Sequence, residues 1–584
     1  MFSKYRSFLT IIMIATASLT LVACGGGGDG GTNGTTTTTP PPAPPAPPPP
    51  PPAGEVSISG SVTFEEVGVE TGEFTLDLAD LTTLPARGIV VEAVSGAGAV
   101  LDSTTTNDAG QYSLSVAPNT LVSIQAKAEL NQTAAEGARW NVVIEDNTNN
   151  NAQYILTGNL TSSGTTNQTR NLFAPSGSNG VDAYTSARTA APFFMLDEIL
   201  NALRLVESAD PDVFLPDLRL LWSVDNRLIN DDEESDITIG NLTSSFFSSN
   251  LGGMPSIVIL GDTETDTDEY DEHVVTHEFG HYLTFTVFRD DSIGGSHSLA
   301  SLLDPRVSFS EGFGNAFSAM ATGDSLYIDA GFGNDGGFAF NVELNTIGEI
   351  ILDQLDIPAA GWYGESSTQS IIFDIFDSNS DGVDGVSLGF TPIYETLQSA
   401  AYQDSESATT IFSFLTAMEE IGAVTQAQLD PLLDFQNING TGQFGVGETN
   451  DGGVPVSLPV FNTYTVGDPA LTICSIDDAG EVNRIGNRAL IALNVPVPGT
   501  FTVTMALIPG EIPGGVTEGR DPDYFIFNGD NFVTSGTSPD ENVESQVRTL
   551  PSGLLWVDAH DFNNITQNDD ADRGDACYAF SVTN

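Results

Sequence analysis

Between residues 55 and 172, apolar and polar positions alternate in short runs. VSISGSVTF (56–64), GIVVEAVS (88–95), GQYSLSVA (110–117) and LVSIQAKA (121–128) all carry the pattern. A period of two turns one face of the chain inward and the other outward, so each run predicts a half-buried strand. Gly, Asn and Asp between the runs supply the turns. RWNVVIED (139–146) and AQYILTG (152–158) predict further strands of the same sheet. From about residue 173 the period lengthens. In APFFMLDEILNALRLVE (191–207), Phe193, Leu196, Leu200, Leu203 and Val206 share one helical face, and Pro192 falls in the first turn. LRLLWSVD (218–225) and PSIVILG (255–261) read as strands, so 173–452 is mixed α/β. Beyond 453 the strand pattern returns in FNTYTVG, RALIALNV, GTFTVTMALI, DYFIFNG, GLLWVDAH and CYAFSVT.

The length of 584 residues agrees with this division, since it is too long for one core and predicts three or four domains. The expected fold class is therefore multidomain: an α/β (α+β) core at 173–452, flanked by all-β sandwiches at 55–172 and 453–584. The run TTTNDAGQYSLSVAPNTLVSIQAKA resembles carboxypeptidase-regulatory-like (transthyretin-like) β-sandwiches. DPDYFIF, in its strand-rich setting, resembles bacterial pre-peptidase C-terminal domains.

Residues 25–54 cannot form a core. Their Gly/Thr part is flexible, and their Pro part is a stiff spacer of about 3 Å per residue. Before them, Lys4 and Arg6 precede a short apolar run that ends Leu21-Val22-Ala23-Cys24. A basic flank, an apolar run and small residues predict an export signal over 1–24, too short and wrongly flanked for a membrane span. Leu-Val-Ala-Cys resembles the lipobox of bacterial lipoproteins, which implies cleavage before Cys24 and acylation of its thiol. Gly25 lacks the Asp that retains many lipoproteins at the inner membrane, so an outer-membrane anchor is expected. Charge adds one exclusion. The chain carries 17 Lys and Arg against 79 Asp and Glu, which repels phosphate backbones and argues against a nucleic-acid partner. In an oxidising compartment, Cys474 and Cys577 predict a disulfide.

The chemistry concentrates in TDEYDEHVVTHEFGHYLTFT (267–286), which holds three of the five histidines. His277 and His281 bracket Glu278 as H-E-x-x-H. On a helix, residues four apart lie about 40° apart and one turn along, so both imidazoles reach one metal and Glu278 stands beside them. Val275, Phe279, Tyr282 and Leu283 make the opposite, core-facing side. Asp266, Asp268 and Glu269 are expected in the first turn, where carboxylates suit the helix dipole. His273 reads as a solvated surface residue rather than a cleft residue. A catalytic zinc needs a third protein ligand and an open position. A histidine in the metzincin spacing is missing, because that position is Val287. A glutamate is available instead: SEGFGNAFSAM resembles the EGW/F-x-[DN] stretch of gluzincin metallopeptidases, thermolysin-like and fungalysin-like enzymes being nearest. The resemblance rests on two short motifs and their order. It implies His277, His281 and Glu311 as zinc ligands and Glu278 as general base.

Two departures stand out. The zinc motifs are separated by 29 residues, longer than usual in thermolysin-like enzymes, and the extra length is the loop RDDSIGGSHSLASLLDP (289–305). Where such enzymes have an Asp after the glutamate, this chain has Asn315, whose amide oxygen still accepts an imidazole N–H without bringing charge. For the oxyanion donor, Tyr363 in GWYGESS is the first expectation and His297 in the intermotif loop the second. Asp377, Asn379, Asp381 and Asp384 read equally as a calcium loop start or as an Asx-rich turn, since position twelve is Leu388. The sequence thus predicts an exported, lipid-anchored zinc metallopeptidase acting on proteins or peptides. The alternative is a non-catalytic surface adhesion or binding lipoprotein with a relic peptidase core.

Overall fold

The computed structural model of the chain describes residues 54–584, except 134–135, 231–232, 334–335, 344–359, 379–384, 478–481, 540 and 567–572. The expected export signal, Cys24 and nearly all of the spacer lie outside the described residues, as do Asn379, Asp381 and Asp384. Among the described residues, no helix is long and apolar enough to cross a membrane.

Strand β1 (Val56–Glu70) buries Val56, Ile58, Val62, Phe64 and Val67, the inward members of its alternation. Its second half pairs antiparallel with β2 (Thr75–Pro85). Next come β3 (Ile89–Ser95), β4 (Val100–Thr105), β5 (Gln111–Val116), β6 (Leu121–Gln132) and β7 (Trp140–Asp146). β5 pairs with the first half of β1, while β4, β3, β6 and β7 run side by side in a second sheet.

That second sheet does not stop at residue 172. β7 pairs in parallel with Leu218–Trp222, which pairs in parallel with Met254–Ile259, and Phe246–Leu251 closes the edge antiparallel. The expected boundary between 172 and 173 therefore falls inside one continuous sheet. Parallel neighbours need a long crossover, and helix α1 (Ala191–Ala209) lies in the segment that provides it. Phe193, Leu196, Leu200, Leu203 and Val206 of α1 are all buried in the core that β6 and β7 share.

Three helices follow that matter for the site: α2 (Glu272–Thr286), α3 (Pro305–Thr322) and α4 (Glu365–Phe376). α2 packs on the sheet edge and on α3, and α3 packs on α4. Glycine sets the approach of α2 and α3, because a Cβ on Gly280 would stand 3.3 Å from Gly314 Cα. α3 is delimited by local chemistry. Asp304 caps its start by accepting from Arg306 N, Pro305 opens the first turn, and Gly323 ends it at φ 75°.

The C-terminal strands form two sheets around a separate core that includes Ile491, Leu493, Val503, Met505, Val557 and Phe580. One runs Phe461–Thr465, Arg488–Val495, Gly553–Asp561, Pro522–Asn528, Asn531–Gly536. The other runs Leu471–Ser475, Ala576–Thr583, Gly499–Leu507, Val543–Leu550. Cys474 and Cys577 are disulfide-bonded partners on adjacent strands of this second sheet. Strands outnumber helices along the chain, and helix is concentrated between the two strand-rich ends.

Candidate metal centre

α2 presents His277 and His281 one turn apart, and α3 crosses it carrying Glu311. The ligand atoms of these three residues all lie within 4.8 Å of one another. His281 Nε2 stands 3.0 Å from His277 Nε2 and 3.1 Å from Glu311 Oε2, and His277 Nε2 stands 3.3 Å from Glu311 Oε2. Two imidazole nitrogens and one carboxylate oxygen are a donor set that suits zinc.

The other ring nitrogens have partners that turn the imidazoles inward. His277 Nδ1 lies 2.8 Å from Asn315 Oδ1, and Asn315 is itself held by donating to Gln369 Oε1 at 2.9 Å. Ser310 Oγ is 3.4 Å from His281 Nδ1 and donates to Asp290 Oδ2 at 2.7 Å. Gly314 makes room for the His277 ring, since a Cβ there would meet His277 Cε1 at 2.8 Å. The second glycine of EGFGN thus has a steric reason that sequence reading had not supplied.

His281 and Glu311 line a cleft of about 940 Å³. Glu278 lines this cleft, as do the loop residues Gly294–His297 and the edge residues Phe246 and Phe247. His297 Nε2 reaches 3.2 Å from Glu311 Oε2, while its Nδ1 lies 2.9 Å from Glu365 Oε2 at the first turn of α4. Glu365 lies two residues beyond Tyr363 in GWYGESS, so this segment reaches His297 through Glu365 and not through the tyrosine.

Electrostatics follow from this crowding. Burial, the largest single influence, would lower the pKa of His281 and His297, but the neighbouring carboxylates together outweigh it, Glu311 foremost and at His297 Glu365 as well, raising them to about 9 and about 10. Burial opposes ionisation of Glu311, yet His297 and His281 hold its carboxyl well below the usual range.

Several expected residues are elsewhere. Tyr363 is fully buried, stacks edge-on against Trp362 and donates to Asn450 Oδ1 at 3.0 Å, away from the cleft lining. Its neighbouring glycines serve packing. A Cβ on Gly361 would come within 2.5 Å of the Tyr363 ring, and one on Gly452 within 2.9 Å. His273 is not solvated but fully buried, with Nε2 3.0 Å from Asp324 O and its ring against Tyr327. The hairpin Leu326–Asp329/Phe338–Asn341 covers that side of α2, which periodicity within α2 cannot reveal. Asp266, Asp268 and Glu269 precede the helix rather than occupying its first turn; α2 begins at Glu272, with Asp271 at the N-cap. Glu269 pairs with Arg188. Burial first, and for Asp268 and Asp271 neighbouring carboxylates next, push these three aspartates up. Asp377 is buried at the C-cap of α4, and its expected calcium partners are outside the described residues.

No protein-family model matches the chain, and no curated protein matches it. Among solved structures, it is similar to a pre-peptidase C-terminal domain of a collagenase from Bacillus anthracis, at 14% identity and TM-score 0.15, covering 21% of this chain and 92% of that one. It is also similar to a 9R-lipoxygenase from Cyanothece, at 10% identity and TM-score 0.14, covering 27% of this chain and 25% of that one. Both likenesses are too slight to bear on function, and the weight falls on the geometry above.

Proposed function

We propose that the chain is an exported, lipid-anchored zinc metallopeptidase of gluzincin type, with a zincin-like core between strand-rich ends. The observation that carries this reading is the convergence of His277, His281 and Glu311 on one point beside a cleft that Glu278 also lines. The donor set and the space that Gly314 leaves for His277 both fit zinc. When bound, zinc would supply a Lewis acid that brings the pKa of a water from about 15.7 toward about 7 and polarises a peptide carbonyl.

The chain's own residues do the rest. Asn315 holds the His277 ring in one orientation through Nδ1, and Ser310 with Asp290 does so for His281. Glu278 takes the proton of the attacking water and delivers it to the leaving amine. His297, oriented by Glu365, donates toward the carbonyl oxygen as negative charge develops there. The strand Phe246–Leu251 is the last of its sheet and borders the cleft, so an extended peptide can add along its free edge. Lys4, Arg6 and the Leu21–Cys24 lipobox support export and membrane anchoring, and the Gly/Thr/Pro segment would hold the enzyme off the surface.

Metal analysis and one substitution test the reading. The purified protein should hold about one zinc per chain, and His281→Ala should lose it. Glu278→Gln should keep the zinc and lose most cleavage of unfolded casein, because an amide preserves shape but cannot take a proton. Equal zinc in wild type and His281→Ala overturns the ligand assignment. Wild-type zinc without chelator-sensitive cleavage would favour a binding lipoprotein over an enzyme.

A further inference from the structure

A second cluster of metal-ligating groups stands at the start of α2, apart from the zinc ligands. Asp266 opens the second strand of the short hairpin Gly261–Asp262/Asp266–Thr267, Asp268 follows that strand, and Asp329 ends the strand Leu326–Asp329. Ligand oxygens of these three all lie within 4.8 Å of one another. Asp271, the N-cap of α2, adds a fourth carboxylate: its Oδ2 accepts from Ala330 N, next to Asp329, at 3.1 Å.

The second observation is what these side chains leave unmade. Asp268 is 3% exposed and Asp271 2%, and Oδ1 of each is buried with no hydrogen-bond partner. Asp271 does not cap its own helix through its side chain, although Asp at that position ordinarily does. Among the described residues, no Lys, Arg or His side chain pairs with any of the four. A buried carboxylate oxygen without a partner is unfavourable, and neighbouring like charges add to that. A cavity of about 240 Å³ lined by Asp266 and Asp329 opens onto the cluster and gives an ion a way in.

We propose that Asp266, Asp268, Asp271 and Asp329 form a calcium site that fastens the hairpin before α2 and the strand Leu326–Asp329 to the first turn of the zinc-motif helix. All-oxygen, carboxylate-rich coordination is hard-cation chemistry. Calcium–oxygen distances of about 2.3–2.6 Å let ligands on opposite sides of one ion stand about 5 Å apart, so carboxylate oxygens within 4.8 Å of one another can share it, whereas magnesium keeps several of its waters and is seldom held by an all-protein carboxylate cage. The site is built from residues other than the zinc ligands and stands whether or not the chain is a peptidase. Its consequence for the metal centre is mechanical. Tyr327, two residues before Asp329, packs against His273 and lies edge-on to His277 with ring centroids 6.4 Å apart. Fixing Asp329 to Asp271 therefore fixes the wall behind His277.

The test uses the full purified protein, stripped with EDTA and dialysed against 1 mM CaCl2, 1 mM MgCl2 or neither. Wild type should take up calcium in preference to magnesium and melt several degrees higher with it. Asp266→Asn/Asp329→Asn should bind one calcium fewer per chain, lose the calcium-dependent rise in Tm, and melt no lower than wild type in EDTA, because two repelling charges are gone. Asp266→Asn alone, at a half-buried hairpin position, should weaken calcium binding at least tenfold, while the zinc content of the protein before EDTA treatment matches wild type; it decides the matter if the double variant does not fold. No calcium bound by wild type overturns the proposal. So does calcium binding that neither substitution alters, which would place the ion elsewhere, as in the loop beginning at Asp377.

Discussion

At the scale of single residues, the proposed zinc site depends on one glycine as much as on the residues that would hold the metal. Gly314 faces the His277 ring at a distance that leaves no room for a methyl group. Alanine would favour the helix by up to about 1 kcal/mol, so Gly314→Ala should leave folding intact. It should displace His277 and weaken zinc about 10- to 100-fold, the range seen when groups supporting a ligand are disturbed. Competition with a fluorescent zinc chelator measures this; unchanged affinity would show that the ring moves freely. His297 makes a different prediction. Its Nε2 reaches the metal side of the cleft and Glu365 holds its Nδ1, so the two should act together. His297→Ala should lower kcat/KM by about 10² to 10³ with zinc retained. Glu365→Gln should lower it less, because an amide can still accept the Nδ1 proton. If His297→Ala loses zinc as well, His297 is a ligand rather than an oxyanion donor.

At the scale of elements, the start of α3 is tied to a strand that lies far away in sequence. Arg306, in the first turn of α3, donates to Asp304 and to Asp558 on the C-terminal strand Gly553–Asp561, and its guanidinium lies over Trp556. The disulfide acts within one sheet, joining paired strands across a separation of 103 residues. In the chain-entropy account, closing a loop of this length stabilises by about 4–5 kcal/mol by restricting the unfolded chain. Cys474→Ser/Cys577→Ser should therefore lower the urea midpoint of the C-terminal strands markedly. Near-ultraviolet signals from Trp556 would report that transition. A midpoint unchanged within error would show that strand pairing alone sets stability there.

At the scale of the whole molecule, the C-terminal strands reach the cleft through one loop. Asn483 donates from Nδ2 to Gly294 O at 2.9 Å and to Ser296 O at 3.0 Å, and Arg484 also donates to Ser296 O. These bonds fix the segment that ends in His297. Asn483→Ala should cost about 1–3 kcal/mol of stability through lost hydrogen bonds. It should also lower kcat/KM about tenfold while zinc content holds, because His297 would no longer be positioned. Activity equal to wild type would mean that Glu365 alone suffices. At the other end of the chain, the sheet shared by β7 and Leu218–Trp222 makes the N-terminal strands part of the scaffold under α2 rather than a detachable module. Removing residues 55–172 should accordingly abolish soluble folding of the remainder, which expression of that fragment would check.

The sequence by itself determined the elements whose pattern is local. Alternation located the strands of 55–172 and of the C-terminal region, the 3.6-residue period located α1, and the spacing of His277 and His281 put both on one face of α2. Glu311 and Asn315 came instead from the resemblance of SEGFGNAFSAM to the gluzincin stretch, a short local motif. What only the tertiary structure decided are relations between distant segments. Burial of His273 depends on the hairpin Leu326–Asp329/Phe338–Asn341, far along the chain, covering that side of α2. Tyr363 sits in a loop whose glycines suggest freedom, but Gly361, with Gly452 from far along the chain, makes room for its ring beside Asn450. Glu365, Asp290 and Asn483 carry no local signature, since an acidic or amide residue on a loop reads alike whether it orients a histidine or faces water. The four aspartates around the start of α2 are scattered from 266 to 329, and only the pairing of Asp271 with the backbone beside Asp329 brings them together. Periodicity reports which way a side chain faces; the packing of the whole chain decides what it faces.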